Sequence, residues 1–406
     1  MARSKIYVGL EIGTSKICVV VGEVRPDSGI KILGVGQSAS RGVRKGEIID
    51  FETVQTCLHD ALVKAEERSD LIIEKVMLAI SGAHITSTNN RGCVRIPSDQ
   101  NEITEDDLDE VKEIARDVQI PQSHAFLHSI VRHYFVDGQE KVLNPVGMLG
   151  QKLEADYHII HGIRTRIQNT IRCVREVPLE VDDIVFSPLA AAQVIVSRLQ
   201  KEQGALVIDM GGGTTDYVLY HDGAVVASGC VGLGGDHITN DISIVCKLPL
   251  QTAEQLKTKQ GSVYFDARRI GKEIEVPAGR GFSGATIEEN VLNQVIHLRV
   301  KEILEIIRER LEQTGFLQKI SAGVFLTGGC SLLDGIADLG KSVFKMPVQR
   351  GAAESLSGMR ATFENPQFAT AIGLIRYAQL LDHQQPARGA LATLGSKIGG
   401  WLKVNR

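Results

Sequence analysis

Two short segments, one in each half of the chain, have the composition of a phosphate-binding turn. They are Gly13-Thr14-Ser15 and Gly211-Gly212-Gly213-Thr214-Thr215. Backbone amides at a glycine turn can approach an anion closely because no side chain hinders them. Glu11 and Asp209 lie at the ends of the apolar runs that lead to these turns, and such carboxylates hold Mg²⁺ largely through its water molecules. The pattern predicts a bound polyphosphate with its Mg²⁺.

A third glycine pair, Gly328-Gly329, follows another strand-like run, Ala322 to Thr327. Backbone without side chains lets a flat base or a sugar lie against it. One such turn on its own is most often an ordinary tight hairpin. Three of them in this order favour a nucleotide-binding cleft.

The elements around the two phosphate turns share one pattern. In each half an apolar run ends in an acid, a glycine turn follows, and a second apolar run comes next (Ile17 to Gly22, Tyr217 to Tyr220). This pattern predicts a β-hairpin rather than a strand-to-helix turn. Helical periodicity then follows at Thr53 to Glu66 and at Gly234 to Val245. The chain is therefore predicted to contain two related α/β lobes.

Residues 84–159 differ from both lobes and predict an inserted α+β subdomain. They alternate short strand-like runs with one acidic helix, whose start is marked by Thr104 and Asp107 as a capping box. The acidic run from Glu102 to Asp109 favours a solvated helix face over a protein contact.

Three further helices are predicted in the second half. One begins at about Thr252, a long one runs from Ile287 to about Thr314, and a last one spans Phe368 to Leu381. Six apolar residues of the long helix keep approximately helical spacing: Val291, Val295, Leu298, Ile303, Ile306 and Ile307.

Histidines and cysteines favour structural roles over a metal or redox site. His124, His128 and His133 cross a segment with strand-like alternation, which favours structural histidines over metal ligands. The seven cysteines form no C-x-x-C pair and lie in or beside apolar runs. They are predicted to be reduced core thiols in a cytosolic protein.

The composition is that of a soluble protein with two to three domains. The 406 residues are 43% hydrophobic and carry a net charge of -4. No basic field covers the whole chain, which argues against a protein that wraps nucleic acid. No apolar run reaches the ~18 residues of a membrane-spanning helix.

The motifs together resemble the actin, hexokinase and chaperone-ATPase superfamily. The matching segments are two phosphate motifs, an adenosine motif and two connecting helices: Gly9 to Lys16, Asp209 to Asp216, Leu326 to Leu333, Pro188 to Ala192 and Ala369 to Leu374. The resemblance implies an α/β, two-lobed actin-like ATPase fold that binds ATP with Mg²⁺. It adds Lys16 and Asp216 to the nucleotide site. Glu254 and Lys257 lie in a segment that resembles the ribose-contacting helix of these proteins.

Within that superfamily the chain resembles the FtsA family of bacterial cell-division proteins. The segments that carry this resemblance are Ser38 to Gly46, Ala79 to His84, Asn144 to Gly147 and the C-terminal tail. The family places a small α+β subdomain, SHS2, in the first lobe. The expected division is a first-lobe core at 1–83 and 160–198, the SHS2-like subdomain at 84–159, a second-lobe core at 199–242 and 321–381, a small subdomain at 243–320, a linker at 382–390 and a tail helix at 391–406.

This resemblance implies a protein that polymerises on the inner face of the cytoplasmic membrane at the division site. There it would tether filaments of FtsZ, a tubulin-like protein, through the FtsZ C-terminal tail and help to recruit later division proteins. Arg299 and Lys301 lie in the small subdomain of the second lobe, where the FtsZ contacts of the family lie. A sugar kinase or another phosphotransferase of the superfamily is the alternative, and it would need no basic amphipathic tail.

Ser187 separates this chain from hydrolytic relatives. In those proteins the residue before the Pro-x-Ala-Ala-Ala segment is a glutamate that positions the attacking water, and here Ser187 precedes Pro188. A neutral hydroxyl cannot act as a strong base at pH 7, and it holds water less firmly than a carboxylate. Weak or absent ATP hydrolysis is therefore expected.

The tail after Asp382 contains no acidic residue and predicts a membrane-targeting helix. At ~100° per residue, five apolar side chains share one face and two lysines lie outside it: Leu391, Leu394, Ile398, Trp401 and Leu402, with Lys397 and Lys403. Pro386 favours a flexible linker before the helix. Such a helix binds an anionic lipid surface weakly alone and strongly as part of a polymer. A helix docked on its own domain is the alternative.

Overall fold

The computed structural model describes residues 4–25, 29–97, 101–266, 272–279, 282–351, 353, 356–359 and 364–383. Six strands form the sheet of the first lobe: β1 (Lys5–Ile12), β2 (Lys16–Val24), β3 (Ile30–Ala39), β6 (Lys75–Ile80), β11 (Glu180–Phe186) and β19 (Leu356–Gly358). Their order is β11-β6-β1-β2-β3-β19. β1 and β2 are antiparallel over their whole length, which confirms the predicted hairpin.

Four helices cover this sheet: α1 (Phe51–Ser69), α3 (Arg164–Glu176), α4 (Ser187–Ile195) and α10 (Ala369–His383). α1 packs on β2 and β3, whereas α10 packs on β1, β2 and α4. Leu10, Ile17 and Val19 are fully buried between these layers. A short ribbon, β4 (Val43–Arg44) and β5 (Glu47–Ile48), precedes α1.

The inserted segment forms its own sheet and core. Its strands are β7 (Thr86–Arg95), β8 (His124–Val136), β9 (Gln139–Val142) and β10 (Lys152–Ile163), in the order β7-β10-β8-β9. α2 (Glu105–Arg116) begins with the predicted capping box of Thr104 and Asp107. Val111 and Ala115 of α2 pack on Leu153 and Ile159 of the sheet.

The second lobe repeats the hairpin arrangement. Its sheet contains β12 (Ala205–Met210), β13 (Thr215–His221), β14 (Ala224–Val231), β17 (Gly323–Thr327) and β18 (Val348–Arg350). The order is β14-β13-β12-β17-β18, and β12 and β13 form the second predicted hairpin.

The described residues of the second half also form the helices α5 (Arg198–Gln203), α6 (Gly235–Cys246), α7 (Leu250–Gln260), α8 (Glu289–Gln313) and α9 (Ile336–Phe344) and a ribbon in which β15 (Glu273–Val276) pairs with β16 (Ala285–Glu288). Single 3-10 turns lie at Leu317–Lys319, Gly329–Leu332 and Pro366–Phe368. Among the helices of the described ranges, none is both long and apolar enough to cross a bilayer.

Three predictions about these elements need correction. Of the six apolar positions with helical spacing on the long helix, Ile303 and Ile307 are buried but Leu298 is 56% exposed. The buried face also includes Leu292, Ile296 and Val300. The last helix continues to His383, two residues into the predicted linker 382–390. Cys93 is exposed rather than a core thiol.

Candidate functional site

A cleft of about 410 Å³ lies between the two hairpin turns. It collects nearly all the nucleotide-site and metal-site residues that the sequence predicted: Glu11, Gly13, Thr14, Ser15, Lys16, Asp209, Gly211, Gly212, Gly213, Thr214, Asp216, Glu254, Lys257, Gly328 and Gly329. These residues come from both lobes. The cleft is therefore the candidate site.

Both hairpin turns are closed by the same hydrogen bond. The amide of Gly13 donates to the carbonyl of Lys16, and the amide of Gly211 donates to that of Thr214, each at 2.9 Å. In both cases the glycine donates to the residue three positions later. The shared sequence pattern thus corresponds to a shared turn geometry.

The tips of the two turns approach each other across the cleft. A Cβ atom on Gly212 would lie 3.1 Å from the Cβ of Ser15, and one on Gly213 would lie 2.4 Å from Thr14 Oγ1. The second distance is below any contact that a real side chain tolerates. Glycine at these positions therefore allows the two lobes to close on a ligand with backbone on both sides.

Glu11 and Asp209 lie on the cleft wall at the ends of β1 and β12. Burial raises the pKa of Glu11 to about 7, although Lys16, whose Nζ lies 3.8 Å from Glu11 Oε2, opposes the rise. Burial also raises the pKa of Asp209. The hydroxyl of Thr370 donates to Asp209 Oδ2 at 2.8 Å.

These carboxylates fit a hydrated cation. Glu11 Oε2 is buried and, within the described residues, has the Lys16 ammonium at 3.8 Å but no hydrogen-bond partner, so it can still accept a hydrogen bond from a water of the ion. In the described ranges, no group of three or more His, Cys, Asp or Glu side chains is placed to ligate a metal directly. Two carboxylates suit Mg²⁺ that keeps most of its water.

Asp216 lies opposite Asp209 in the β12–β13 hairpin. Its Oδ2 accepts hydrogen bonds from Ser81 at 2.6 Å and from Thr214 at 3.2 Å. Burial raises the pKa of Asp216 to about 7, and these hydrogen bonds oppose the rise. Asp216 therefore connects the second lobe to the segment that leaves β6.

Thr215 is the predicted nucleotide-site residue that does not line the cleft. It is fully buried and its hydroxyl donates to the carbonyl of Leu233 at 2.9 Å. Successive side chains of a strand point to opposite faces. Thr214 and Asp216 share the face toward the cleft, so the side chain of Thr215 lies on the opposite face.

The predicted ribose helix is α7. Lys257 is only 7% exposed, and its ammonium donates to Glu254 at 2.6 Å, to Thr239 Oγ1 at 2.9 Å and to the Gly235 carbonyl at 3.0 Å. Because all three acceptors surround it, Lys257 holds α7 against the start of α6. The Glu254 carboxylate stays half-exposed at the cleft wall.

Gly328 and Gly329 both line the cleft. Gly328 has a φ of +80°, and a Cβ there would lie 2.4 Å from Asp209 Oδ1. The nearest heavy atom to a Cβ on Gly329 would be Gln367 Cγ, at 4.0 Å. Gly328 is thus fixed by close packing, whereas Gly329 leaves open space in the cleft.

Ser187 begins α4 on the cleft wall and is 5% exposed. Its hydroxyl donates to the carbonyl of Ile80 at 3.2 Å. The side chain at this position is therefore already engaged with the backbone.

Arg299 and Lys301 lie on α8, away from the cleft. Arg299 pairs with Asp241 at 2.6 Å and with Glu302, and Lys301 Nζ lies 3.7 Å from Glu305. The predicted membrane residues Leu391, Leu394, Lys397, Ile398, Trp401, Leu402 and Lys403 lie outside the described residues.

The sequence reasoning missed several cleft residues, among them Ser81, Cys330, Gln367 and Thr370. Ser81 and Thr370 fall inside segments used only as family signatures. The hydroxyl residue in each segment was the available signal, since a hydroxyl can donate a hydrogen bond to a carboxylate.

Comparison with family models gives two matches. The model described as Cell division protein FtsA matches residues 206–373. The model described as SHS2 domain inserted in FTSA matches residues 82–161, which include the inserted sheet except the last two residues of β10.

Curated relatives cover almost the whole chain. Cell division protein FtsA of Neisseria meningitidis serogroup B is 35% identical over 96% of this chain and 95% of its own length. The proteins of the same name from Borreliella burgdorferi and Escherichia coli K12 are 36% and 33% identical, covering 100% and 98% of this chain and 97% and 96% of their own lengths.

Solved structures share the fold at low identity. A chain of the PilM-PilN type IV pilus biogenesis complex superposes with a TM-score of 0.64 at 17% identity, covering 91% of this chain and 97% of that one. MreB5 of Spiroplasma citri bound to ADP gives 0.56 at 16%, covering 94% and 98%. These matches confirm the two-lobed actin-like fold with its SHS2 insertion. The chain belongs to the FtsA family of cell division proteins.

Proposed function

We propose that this chain is an ATP-binding division protein that holds FtsZ filaments at the membrane. The observation that carries the proposal is the pair of glycine turns, one from each lobe, that face each other beside Glu11 and Asp209. A kinase would need the same cleft, but it would have no need for the predicted basic tail at 391–406.

The proposed ligand of the cleft is ATP with Mg²⁺. The backbone of the two glycine turns would bind the phosphates, and Glu11 and Asp209 would hold the hydrated ion. Bound Mg²⁺ would neutralise phosphate charge. α7 would contact the ribose through Glu254, and the open backbone at Gly329 would contact the base.

Hydrolysis in this cleft is expected to be slow. Ser187 offers a hydroxyl that already donates to Ile80, where a hydrolytic relative is expected to carry a carboxylate. Water positioning by such a group contributes ~10²–10⁴-fold to the rate. The nucleotide would therefore act mainly by holding the lobes together.

The membrane and FtsZ contacts lie on other parts of the chain. The apolar face at Leu391, Leu394, Ile398, Trp401 and Leu402 would enter the lipid surface, while Lys397 and Lys403 contact anionic headgroups. The FtsZ C-terminal tail would contact α8 near Arg299 and Lys301. Self-association would place many tails on one polymer, which would bind the membrane more tightly than a single tail does.

Sedimentation with anionic vesicles tests the adaptor function. Trp401→Glu replaces the largest side chain of the apolar face with a charge, so we expect the variant to stay in the supernatant under conditions where the parent chain sediments. Ser396→Glu is the matched control, because ~100° per residue puts position 396 on the opposite side of the helix. It should sediment nearly as well as the parent.

Nucleotide and FtsZ binding should be the same in all three proteins. Equal sedimentation of Trp401→Glu and the parent would mean that the tail is a docked structural helix. The proposed membrane adaptor would then be wrong.

A further inference from the structure

The inserted sheet is hydrogen-bonded to the second lobe, although the chain connects it only to the first. The hydroxyl of Ser87 donates to the backbone carbonyl of Ser228 at 2.7 Å. The side-chain amide of Asn89 donates to the backbone carbonyl of Val226 at 3.0 Å. Ser87 and Asn89 are two residues apart on β7 and so share one face. Val226 and Ser228 lie on β14, an edge strand of its sheet as described.

His158 of β10 completes this contact. It is 1% exposed, with Nδ1 2.6 Å from Asn89 Oδ1 and Nε2 2.7 Å from the hydroxyl oxygen of Ser228. Because the amide oxygen of Asn89 can only accept, the hydrogen-bond pattern places the proton on Nδ1, and Nε2 accepts from Ser228. We call these five residues, Ser87, Asn89, His158, Val226 and Ser228, the β7–β14 contact.

The β7–β14 contact is adjacent to the cleft along two strands. On β14, Ser228 is two residues from Cys230, which pairs with Asp216 of the cleft wall. At the other end, Ser81 precedes the inserted sheet and donates to the same Asp216 at 2.6 Å. Movement of β14 relative to β7 therefore involves the cleft.

The inserted sheet is also fixed to the first lobe by its own side chains. Nε2 of His128 on β8 accepts a hydrogen bond from the backbone amide of Phe186 at 3.0 Å, one residue before Ser187. The ring of Tyr377 on α10 lies edge-on to His128 with centroids 6.4 Å apart. The inserted sheet thus has buried polar contacts with both sides of the cleft.

We propose that the β7–β14 contact sets the rate at which nucleotide leaves the cleft. The inference rests on the proposed binding of nucleotide between the lobes. Release from a two-lobed cleft requires the lobes to separate, and separation moves β14 away from β7. Each buried group of the contact then loses its partner. By linkage, a protein that draws the inserted sheet away from β14 lowers the affinity for nucleotide.

Dissociation of a fluorescent ADP analogue, followed by stopped flow after mixing the loaded full chain with excess ATP, tests this inference. Asn89→Ala removes the bond to Val226 and leaves His158 Nδ1 unpaired, so we expect about tenfold faster dissociation. Asn90→Ala is the matched control. Asn90 is the next residue of the same strand, and its amide donates to the Ala115 carbonyl of α2 at 3.0 Å, inside the insertion. The ADP analogue should dissociate from Asn90→Ala at the same rate as from the parent.

Each outcome decides a separate point. Equal rates for Asn89→Ala and the parent would overturn the inference while the proposed function stands. If dissociation is accelerated equally in both variants, the substitutions loosen the insertion in general, and this result also overturns the inference. If the parent chain binds no analogue, the proposed function fails and the inference fails with it. Circular dichroism of both variants confirms that the dissociation rates come from folded protein.

Discussion

At the scale of single residues, the cleft is defined by groups that are buried and only partly satisfied. Glu11 and Asp216 both have pKa values raised to about 7 by burial, and the side chains that stabilise them come from different elements. Hydroxyls of Ser81 and Thr214 bond to Asp216. Carboxylates of this kind fit a cation, and in the proposed function the neighbouring glycine turns supply the backbone amides for the anion.

Ser187 is the residue at which turnover can be tested. Ser187→Glu introduces the missing carboxylate on the cleft wall, and we expect phosphate release under saturating MgATP to rise by about tenfold or more. The affinity for ATP should not improve, because the added group acts on water. Ser187→Gln has a similar size without the charge and should remain slow. Release by the parent at ~1–100 per second, typical of kinases, would contradict this account.

At the scale of elements, the inserted sheet contains buried histidines that predict acid sensitivity. Burial lowers the pKa of His158 to about 3, below its ordinary value of 6.5. Between these values the unfolded chain binds more protons than the folded one, so the free energy of unfolding falls as the pH drops below 6.5. The slope for His158 is at most about 1.4 kcal/mol per pH unit.

Comparison of the parent with His158→Gln isolates this contribution. The raised pKa values of Glu11 and Asp216 act in the opposite direction between their ordinary values and 7, so the total slope mixes both effects. Urea unfolding at pH 7.5, 6.0 and 5.0 should show that the parent loses more stability on acidification than the variant. If both proteins lose the same free energy of unfolding on acidification, His158 does not contribute to the acid sensitivity.

The sequence predicted elements well where spacing is enough to specify them. The two hairpins, the capping box at Thr104 and the order of the lobes follow from local patterns. The face of α8 could not be predicted, because apolar residues occur on several sides of it and packing against the second lobe selects Leu292 and Ile296 over Leu298.

The cleft was predicted as a set of turns, but its tertiary partners were not. Thr370 contacts Asp209 across 161 positions and Ser81 contacts Asp216 across 135, and no local pattern encodes such distances. Thr215 was assigned to the site because it belongs to the glycine-rich motif, whereas the alternation of β13 places it on the far face. Tertiary packing determines these long-range contacts, and the motif alone does not encode them.

At the scale of the whole molecule, two of the contacts between its halves bear on nucleotide: the glycine turns of the two lobes approach each other across the cleft, and the inserted sheet bonds to the second lobe at the β7–β14 contact. Thr370 and Ser81 also bond across the lobes to Asp209 and Asp216. In the proposed function, bound nucleotide connects the two glycine turns. The β7–β14 contact is formed by residues of the chain itself. Nucleotide should therefore join the lobes into a more stable unit.

Thermal unfolding with and without MgATP tests this central claim most directly. A ligand that binds only the folded chain stabilises it by about 2.7 kcal/mol at a hundredfold excess over Kd, so the parent should unfold several degrees higher. Gly212→Val should abolish the shift, because a side chain there meets Ser15 across the cleft. Gly279→Val, where a Cβ would meet no described atom within 4 Å, should keep it. No shift for the parent at millimolar MgATP, or a full shift for Gly212→Val, would contradict the account.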